Sequence, residues 1–475
     1  MRRPRFLPLF LLAAPVWAQC PGGYLYQRSI AVNTGQVSGT LASFPMLVLN
    51  PSASLKSSAN GGHVQNANGY DIVFVSSGGA RLPFELVGHA GGLASYDPAS
   101  GNAEFWVNVA SISDGTTIYM CYGNPAIGTY QGNDSATWTG FSGVWHQNDS
   151  AANTTVTDSL GMYPGATTSN TSVLGSAGGK IGRGFNFGGS DSASFGNALP
   201  AAVNGAAKLS FSMWSNVAAP LAYASKFQVM DASNHGVFWL NLDTNDVGCP
   251  GNGRTGLFIG VRQGVDNQND AYHCGGLTNG VWQLLSFVFD GSQSTNDTRL
   301  KVYVNGAQQT LTYRGSIGSS ISLSSGSALL GAGYNGLTDE LHVLVGTAEQ
   351  PGWIATEYNN QSSPASFYTV GSESAVAAMT AISASPQAVP AISSGNVVLT
   401  LTGTSTAWTG GTTFSISGVS GVTKIAQSVL SATSATLTIT TGAGTGSLTI
   451  SDGTTSTTIL VGMGGSGCAV VGIGG

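Results

Sequence analysis

The run Leu209-Ser210-Phe211-Ser212-Met213 alternates apolar and small polar side chains with a period of two, and Leu300-Lys301-Val302-Tyr303-Val304 does the same. Successive side chains of a strand point to opposite faces, so each run should turn one face toward a core and one toward water. The pattern recurs in Leu399-Thr400-Leu401-Thr402 and Ala435-Thr436-Leu437-Thr438-Ile439. Between such runs stand Asp290-Gly291, Asn305-Gly306 and Asp452-Gly453, dipeptides suited to tight hairpin turns. Helical spacing is nearly absent, and Pro351 to Asn360 is the one short candidate. The 475 residues are therefore expected to be all-β and, at roughly 100–200 residues per domain, multidomain and built of β-sandwiches.

Charged residues make up 8% of the chain, against roughly 25% in an average soluble protein. Aromatic residues make up 9% and Gly numbers 68, so the chain is neither a charged disordered polymer nor a nucleic-acid binder. Residues 1–18 have the form of a signal peptide, with Arg2, Arg3 and Arg5 before an apolar run from Phe6 to Ala14 and the site Val16-Trp17-Ala18. Removing those three of the 16 basic residues leaves 13 against 22 acidic ones, a net charge near −9 that disfavours polyanions and anionic lipid. No later stretch reaches the roughly 18 apolar residues of a membrane span. The expected location is secreted, extracellular or held at the cell surface.

Residues 125–142 and 371–382 are rich in small residues, lack alternation and read as linkers. They divide the chain into segments 20–128, 138–374 and 380–462, followed by a Gly-rich tail, 463–475. The last segment has the short Thr/Ser-rich strands of an immunoglobulin-like sandwich, with Trp408 as its core aromatic. In an oxidising compartment, Cys249 and Cys274 are expected to bridge around Arg254 to Val265, and Cys20 and Cys121 to join the two ends of the first segment. The first bridge would contribute about 3–4 kcal/mol by loop closure. Cys468 is left over.

No common hydrolase or nucleotide-binding motif is present, and no catalytic or cofactor-binding residue is assigned. The six glutamates (85, 104, 340, 349, 357 and 373) lie at least eight residues apart. Asp339 and Glu340 are adjacent, so on a regular strand they would face opposite ways and could not form a dyad. A carboxylate pair could only be assembled from distant loops. The six histidines (63, 89, 146, 235, 273 and 342) show no ligand spacing and read as packing or surface residues. The 16 aspartates that accompany the six glutamates suit turns and calcium loops, with Asp158, Asp191 and Asp339 as candidates. Trp145, Trp214, Trp239, Trp282 and Trp353 fall within apolar alternation and are expected to pack.

Three resemblances extend this reading. Tyr24-Leu25-Tyr26-Gln27-Arg28, Asp71-Ile72-Val73-Phe74, Leu82-Pro83-Phe84-Glu85, Tyr96-Asp97-Pro98, Phe105-Trp106-Val107-Asn108-Val109 and Thr117 through Asn124 resemble domain of unknown function 2341 across the first segment. That family offers no catalytic residues to transfer; Glu85 and Asp97 match its pattern. Gly182-Arg183-Gly184-Phe185-Asn186-Phe187-Gly188-Gly189, Leu209 to Trp214, Trp282 to Gly291, Val302 to Gly306 and Gly336 to Leu341 resemble a concanavalin A-like sandwich of the laminin-G/pentraxin type. This implies a glycan or protein ligand, sometimes held through calcium, with Asp191 and Asp339 at acidic positions. The third segment is similar to bacterial immunoglobulin-like repeats. Together these imply a secreted or surface binding and adhesion protein that takes a glycan or a surface protein through the laminin-G-like segment. The alternatives are a glycoside hydrolase or lyase using loop carboxylates, and a structural spacer or adhesin stalk.

Overall fold

The structure is a computed structural model. It describes residues 20–175, 178–218, 224–231, 236–243, 256–261, 270–273, 277–323, 326–376, 381–386, 388–391, 396–404, 408, 410–431, 433–440, 444–453 and 455–463. The expected signal peptide, the tail beyond Met463, Cys249, Cys274 and Cys468 lie outside these residues, so the expected Cys249–Cys274 bridge does too. The chain is all-β and multidomain. Two compact units are formed. One comprises Arg28–Ser76 and Arg81–Ser372; the other holds the described residues of 20–27, 77–80 and 373–463.

In the first segment, strands β1 (Tyr26–Val32), β2 (Leu41–Leu49), β3 (Val73–Ser76), β4 (Phe84–Leu86), β5 (Glu104–Ile112) and β6 (Thr117–Tyr122) make two antiparallel sheets. One has β1 and β3 on either side of β6, and the other runs β2, β5, β4. Phe74 packs edge-on against Phe84 and Phe105 at ring separations of 5.4 and 5.1 Å, the aromatic geometry that fills a small sandwich. Cys20 and Cys121 are both buried and disulfide-bonded.

The expected linker 125–142 is not a linker. It contains a helical turn, α1 (Asp134–Thr137), capped by Asn133 through its side-chain oxygen and the Ala136 N–H. Trp138 directly after it is 1% exposed. Small residues there reflect close packing against the β4–β5 sheet, where Asn108 donates to the carbonyls of Ala136 and Thr137. The next strand, β7 (Gly143–Trp145), already belongs to the middle sandwich.

That sandwich contains a seven-stranded and a nine-stranded sheet. The former includes β7, β8 (Phe185–Gly188), β9 (Lys208–Val217), β10 (Trp282–Asp290), β11 (Leu300–Val304) and β12 (Asn335–Val345), with β9 between β10 and β12. Leu209, Phe211 and Met213 enter a core shared with Phe227, Phe287 and Leu330. Asn305 and Gly306, at φ 52° and 76°, form the expected turn after β11.

The other face of β9 does not meet water. Ser210, Ser212 and Trp214 are at most 2% exposed, because helix α2 (Pro351–Ser362) and the first segment cover them. Ser210 donates to the Thr347 carbonyl, and Ile354 of α2 packs on Val288 and Tyr303. From the same helix, Asn360 accepts the Leu47 N–H through Oδ1 at 2.7 Å and donates Nδ2 to the Leu47 carbonyl at 3.1 Å. This closes the edge of β2 much as a neighbouring strand would. After α2 the chain returns to the first segment, where β13 (Tyr368–Val370) pairs with β1 in the register Ile30↔Val370. Residues 28–76 and 81–128 of the first segment thus share one compact unit with the middle segment.

The last segment is a separate sandwich of two four-stranded sheets. Leu399, Leu401, Leu437 and Ile439 fill its core together with Trp408, whose Nε1 donates to Asp452 at 2.8 Å.

Candidate functional site

Between the middle sheet and the β2–β5–β4 sheet lies a seam of Leu47, Val87, Trp106, Trp138, Val144, Ile181, Trp214 and Leu284. Ionisable side chains are set into this apolar layer. Glu85 comes from β4, Glu104 from the start of β5, His146 from just after β7, Asp339, Glu340 and His342 from β12, and Glu357 from α2. All are 5% exposed or less.

The adjacency of Asp339 and Glu340 does not split them as regular alternation predicts. Ser212 pairs with His342 and Trp214 with Asp339, so Met213 alone faces two residues of β12. Glu340 takes up the extra residue at φ 50°, a β-bulge that re-aims its side chain. Glu340 then meets His146 Nδ1 at 2.8 Å and His342 Nε2 at 3.0 Å. His146 Nε2 lies 3.3 Å from Glu85, and His342 Nδ1 lies 3.5 Å from Glu357. Every ring nitrogen of both histidines faces a carboxylate, an arrangement that suits the imidazolium, which donates from both. Trp138 Nε1 and Ser159 Oγ also donate to Glu85, and Ser212 Oγ donates to Glu357.

Burial disfavours charge throughout the seam, and its neighbours decide each group's fate. For His146, burial is outweighed by the charges of Glu340 and Glu85, which hold it well above its ordinary value. His342 is raised in the same way by Glu340 and Glu357. Burial of Glu340 is overcome by His146 and His342, bringing it down to about 2, and Glu85 is lowered likewise by His146. For Glu104, burial and repulsion from Glu340 outweigh the pull of His146 and the Trp106 hydrogen bond and push it up to about 8. Asp339 is raised well above its usual range by burial and by Glu340. Gly182, at φ 58°, passes so close to Glu104 that a Cβ there would sit 2.7 Å from Oε2 and the carboxylate would have to shift.

At one side the seam opens into a cavity of about 40 Å³ walled by Glu85, His89, Asp134, His146, Asp158 and Ser159 among others. Two trios bring metal-type donor atoms within 4.8 Å of one another: the buried His146, Glu340 and His342, and the more open Glu85, His89 and Asp134.

The residues expected to hold calcium are not brought together. Asp339 lies past the Phe185 end of the β8–β12 ladder and Asp191 past its Gly188 end, with the ladder's roughly 10 Å between them. Asp339 accepts the Ile181 N–H in the buried seam, while Asp191 accepts from Ser169 Oγ at 2.6 Å near the surface. The two therefore do not meet in one site. Asp158 accepts backbone N–H groups of Val144, Leu160, Met162 and Tyr163, the turn-capping role. Asp97 does the same for Ala99. The seam itself escaped sequence reasoning because its members are far apart in the chain. The local signals were Glu85, Asp339 and Glu340, each inside a family-like motif.

Residues 68–156 match the family described as Domain of unknown function (DUF2341). The matched range begins and ends later than the resemblance read from the sequence, and it contains Glu85, His89, Glu104, Asp134, Trp138 and His146. No curated protein matches the chain. Among solved structures, the chain is similar to domain 4 of an extracellular arabinanase from Geobacillus stearothermophilus solved with arabinotriose. The identity is 20% and the TM-score 0.31, over 45% of this chain and 96% of that one. A Trypanosoma rangeli sialidase is similar at 12% identity and TM-score 0.32, over 47% of this chain and 33% of the sialidase. The carbohydrate-binding module of a Ruminococcus gnavus sialidase, solved with sialyllactose, is similar at 11% identity and TM-score 0.29, over 37% and 96% respectively. Among the described residues, no helix is long and apolar enough to cross a membrane.

Proposed function

We propose that this chain is an exported binding and adhesion protein, secreted or held at the cell surface, whose middle sandwich recognises a glycan without cleaving it. The observation that carries this reading is the destination of the carboxylates. Five of the six glutamates, at positions 85, 104, 340, 349 and 357, are buried at 8% exposure or less. The glutamates are turned inward, and what the described surface offers is hydroxyl, amide and backbone groups with exposed aspartates such as Asp97, Asp114 and Asp297. Such a surface pairs with a neutral polyol by hydrogen bonds and has little to offer a polyanion.

One observation favours glycoside hydrolysis as a second reading. Glu104 at about 8 and Glu340 at about 2 divide proton donor from ionised carboxylate as that reaction requires. Access weighs against it. Both are at most 4% exposed, and the adjoining cavity of about 40 Å³ is far below the roughly 300–1,000 Å³ of small-molecule sites.

A glycan array probed with the exported chain, followed by incubation of bound polysaccharides and an assay for new reducing ends, tests both readings. Retention of a glycan without release of ends is expected. Release that disappears in Glu104→Gln would establish the hydrolase, and an array with no retained glycan would leave the spacer reading.

A further inference from the structure

We propose that Glu85, His89 and Asp134 bind one divalent transition-metal ion, zinc by chemical class, in the small cavity at the mouth of the seam. This goes beyond glycan recognition and does not rest on it.

The His89 ring fixes the argument. Its Nδ1 lies 3.0 Å from the Leu86 carbonyl, which can only accept, so Nδ1 carries a proton. In the neutral ring Nε2 then presents a lone pair, and 3.2 Å away stands Asp134 Oδ2, another acceptor. A metal ion between Nε2 and Oδ2 would join the two. With bonds of about 2.0–2.1 Å, two ligands of a tetrahedral zinc ion stand about 3.3 Å apart. A proton would also satisfy this pair, but Glu85 adds a second carboxylate to the same cluster, all three donor atoms lying within 4.8 Å.

Glu85 can still contribute. It accepts from Trp138, His146 and Ser159, three of the roughly four lone-pair positions of a carboxylate. The surrounding groups hold the ligands as a metal site needs. The Tyr130 ring stacks on His89 at 3.6 Å and 23°, and its hydroxyl lies 2.9 Å from Asp134 Oδ1. The cavity has room for about one ion and one water, so three protein ligands leave a fourth position toward solvent. An imidazole with two carboxylates selects a transition metal over calcium, which takes six to eight oxygens.

The test uses the full exported chain, stripped by a chelator and titrated with zinc chloride in a calorimeter, with bound metal counted by mass spectrometry. One equivalent per chain is expected. His89→Ala and Asp134→Asn, both at the cavity rim, should each weaken zinc at least about 100-fold, while His63→Gln should not. Cobalt(II) added to the wild type should give the intense visible absorption of a four-coordinate site, a readout that survives if a variant folds poorly. Absence of stoichiometric zinc, unchanged affinity in both rim variants, a six-coordinate cobalt spectrum, or calcium bound in preference to zinc would each overturn the proposal.

Discussion

The two faces of β9 make a controlled comparison, because one strand supplies both. Its inner face, Leu209, Phe211 and Met213, joins a wholly apolar core in which Phe211 stacks on Phe287 at 5.3 Å. Its outer face, Ser210, Ser212 and Trp214, is equally buried, but against a layer whose cohesion comes from imidazolium–carboxylate contacts and tryptophan N–H donors. The first layer is held by burial alone, and its strength should ignore pH. The second contains groups that must be charged or neutral in a set pattern, so its strength should follow protonation.

The largest effects are expected to match in size and differ in kind. Phe211→Ala should destabilise by about 3–5 kcal/mol, as a large cavity in a packed core does, with the same loss at pH 5 and pH 8. His146→Ala should cost about 3–5 kcal/mol at neutral pH, because Glu340 and Glu85 lose the cation they share. That loss should shrink as the solution is acidified and the two carboxylates take up protons. Denaturant titration of both variants at several pH values measures this directly. Equal pH dependence in the two would break the distinction. Trp138→Phe should cost less, about 1.5–3 kcal/mol for a hydrogen bond to an ionised group.

For the unaltered chain, the expected pH profile follows from the direction of each shift. His146 and His342 are raised, so their contribution is complete below the ordinary value of 6.5 and is lost as pH climbs through their folded values. Glu104, folded at about 8 against an ordinary 4.5, makes folding progressively less favourable between those two limits. Glu85 and Glu340 are lowered, and their contribution disappears only as pH falls below 4.5, toward about 2 for Glu340. The melting temperature of the 28–372 unit should therefore peak near pH 5 and fall by several degrees toward pH 8. The smallest effect belongs to Asp191→Asn, expected within about 0.5 kcal/mol as a substitution near the surface, with calcium making no difference.

The apolar core was legible because it is written locally. Alternation in 209–213 and 300–304 needs only the period of a strand, and Asn305-Gly306 needs only its own backbone preference. The seam was not legible, for two physical reasons. Its contacts span 194 residues between His146 and Glu340 and 236 between Trp106 and His342, so no window of sequence contains them. The bulge at Glu340 also breaks the period from which the orientation of Asp339 and Glu340 had been inferred. Small residues misled in the same way: the stretch 125–142 has a linker's composition, yet it carries Trp138 into the seam. Ser210 and Ser212 read as a water-facing row, yet they lie under α2 because a small hydroxyl satisfies a buried carboxylate or carbonyl at close range.

The central claim is that the seam makes residues 28–372 one cooperative body held together by protonation. Hydrogen exchange of the full chain at pH 5 and pH 8, corrected for intrinsic rates and followed by peptide in β2, β5, β9 and β12, tests it most directly. The account predicts that all four strands open with one shared free energy, and that this energy is lower at pH 8 than at pH 5. First-segment strands that open independently of β9 and β12, or a shared opening energy that does not change with pH, would contradict it.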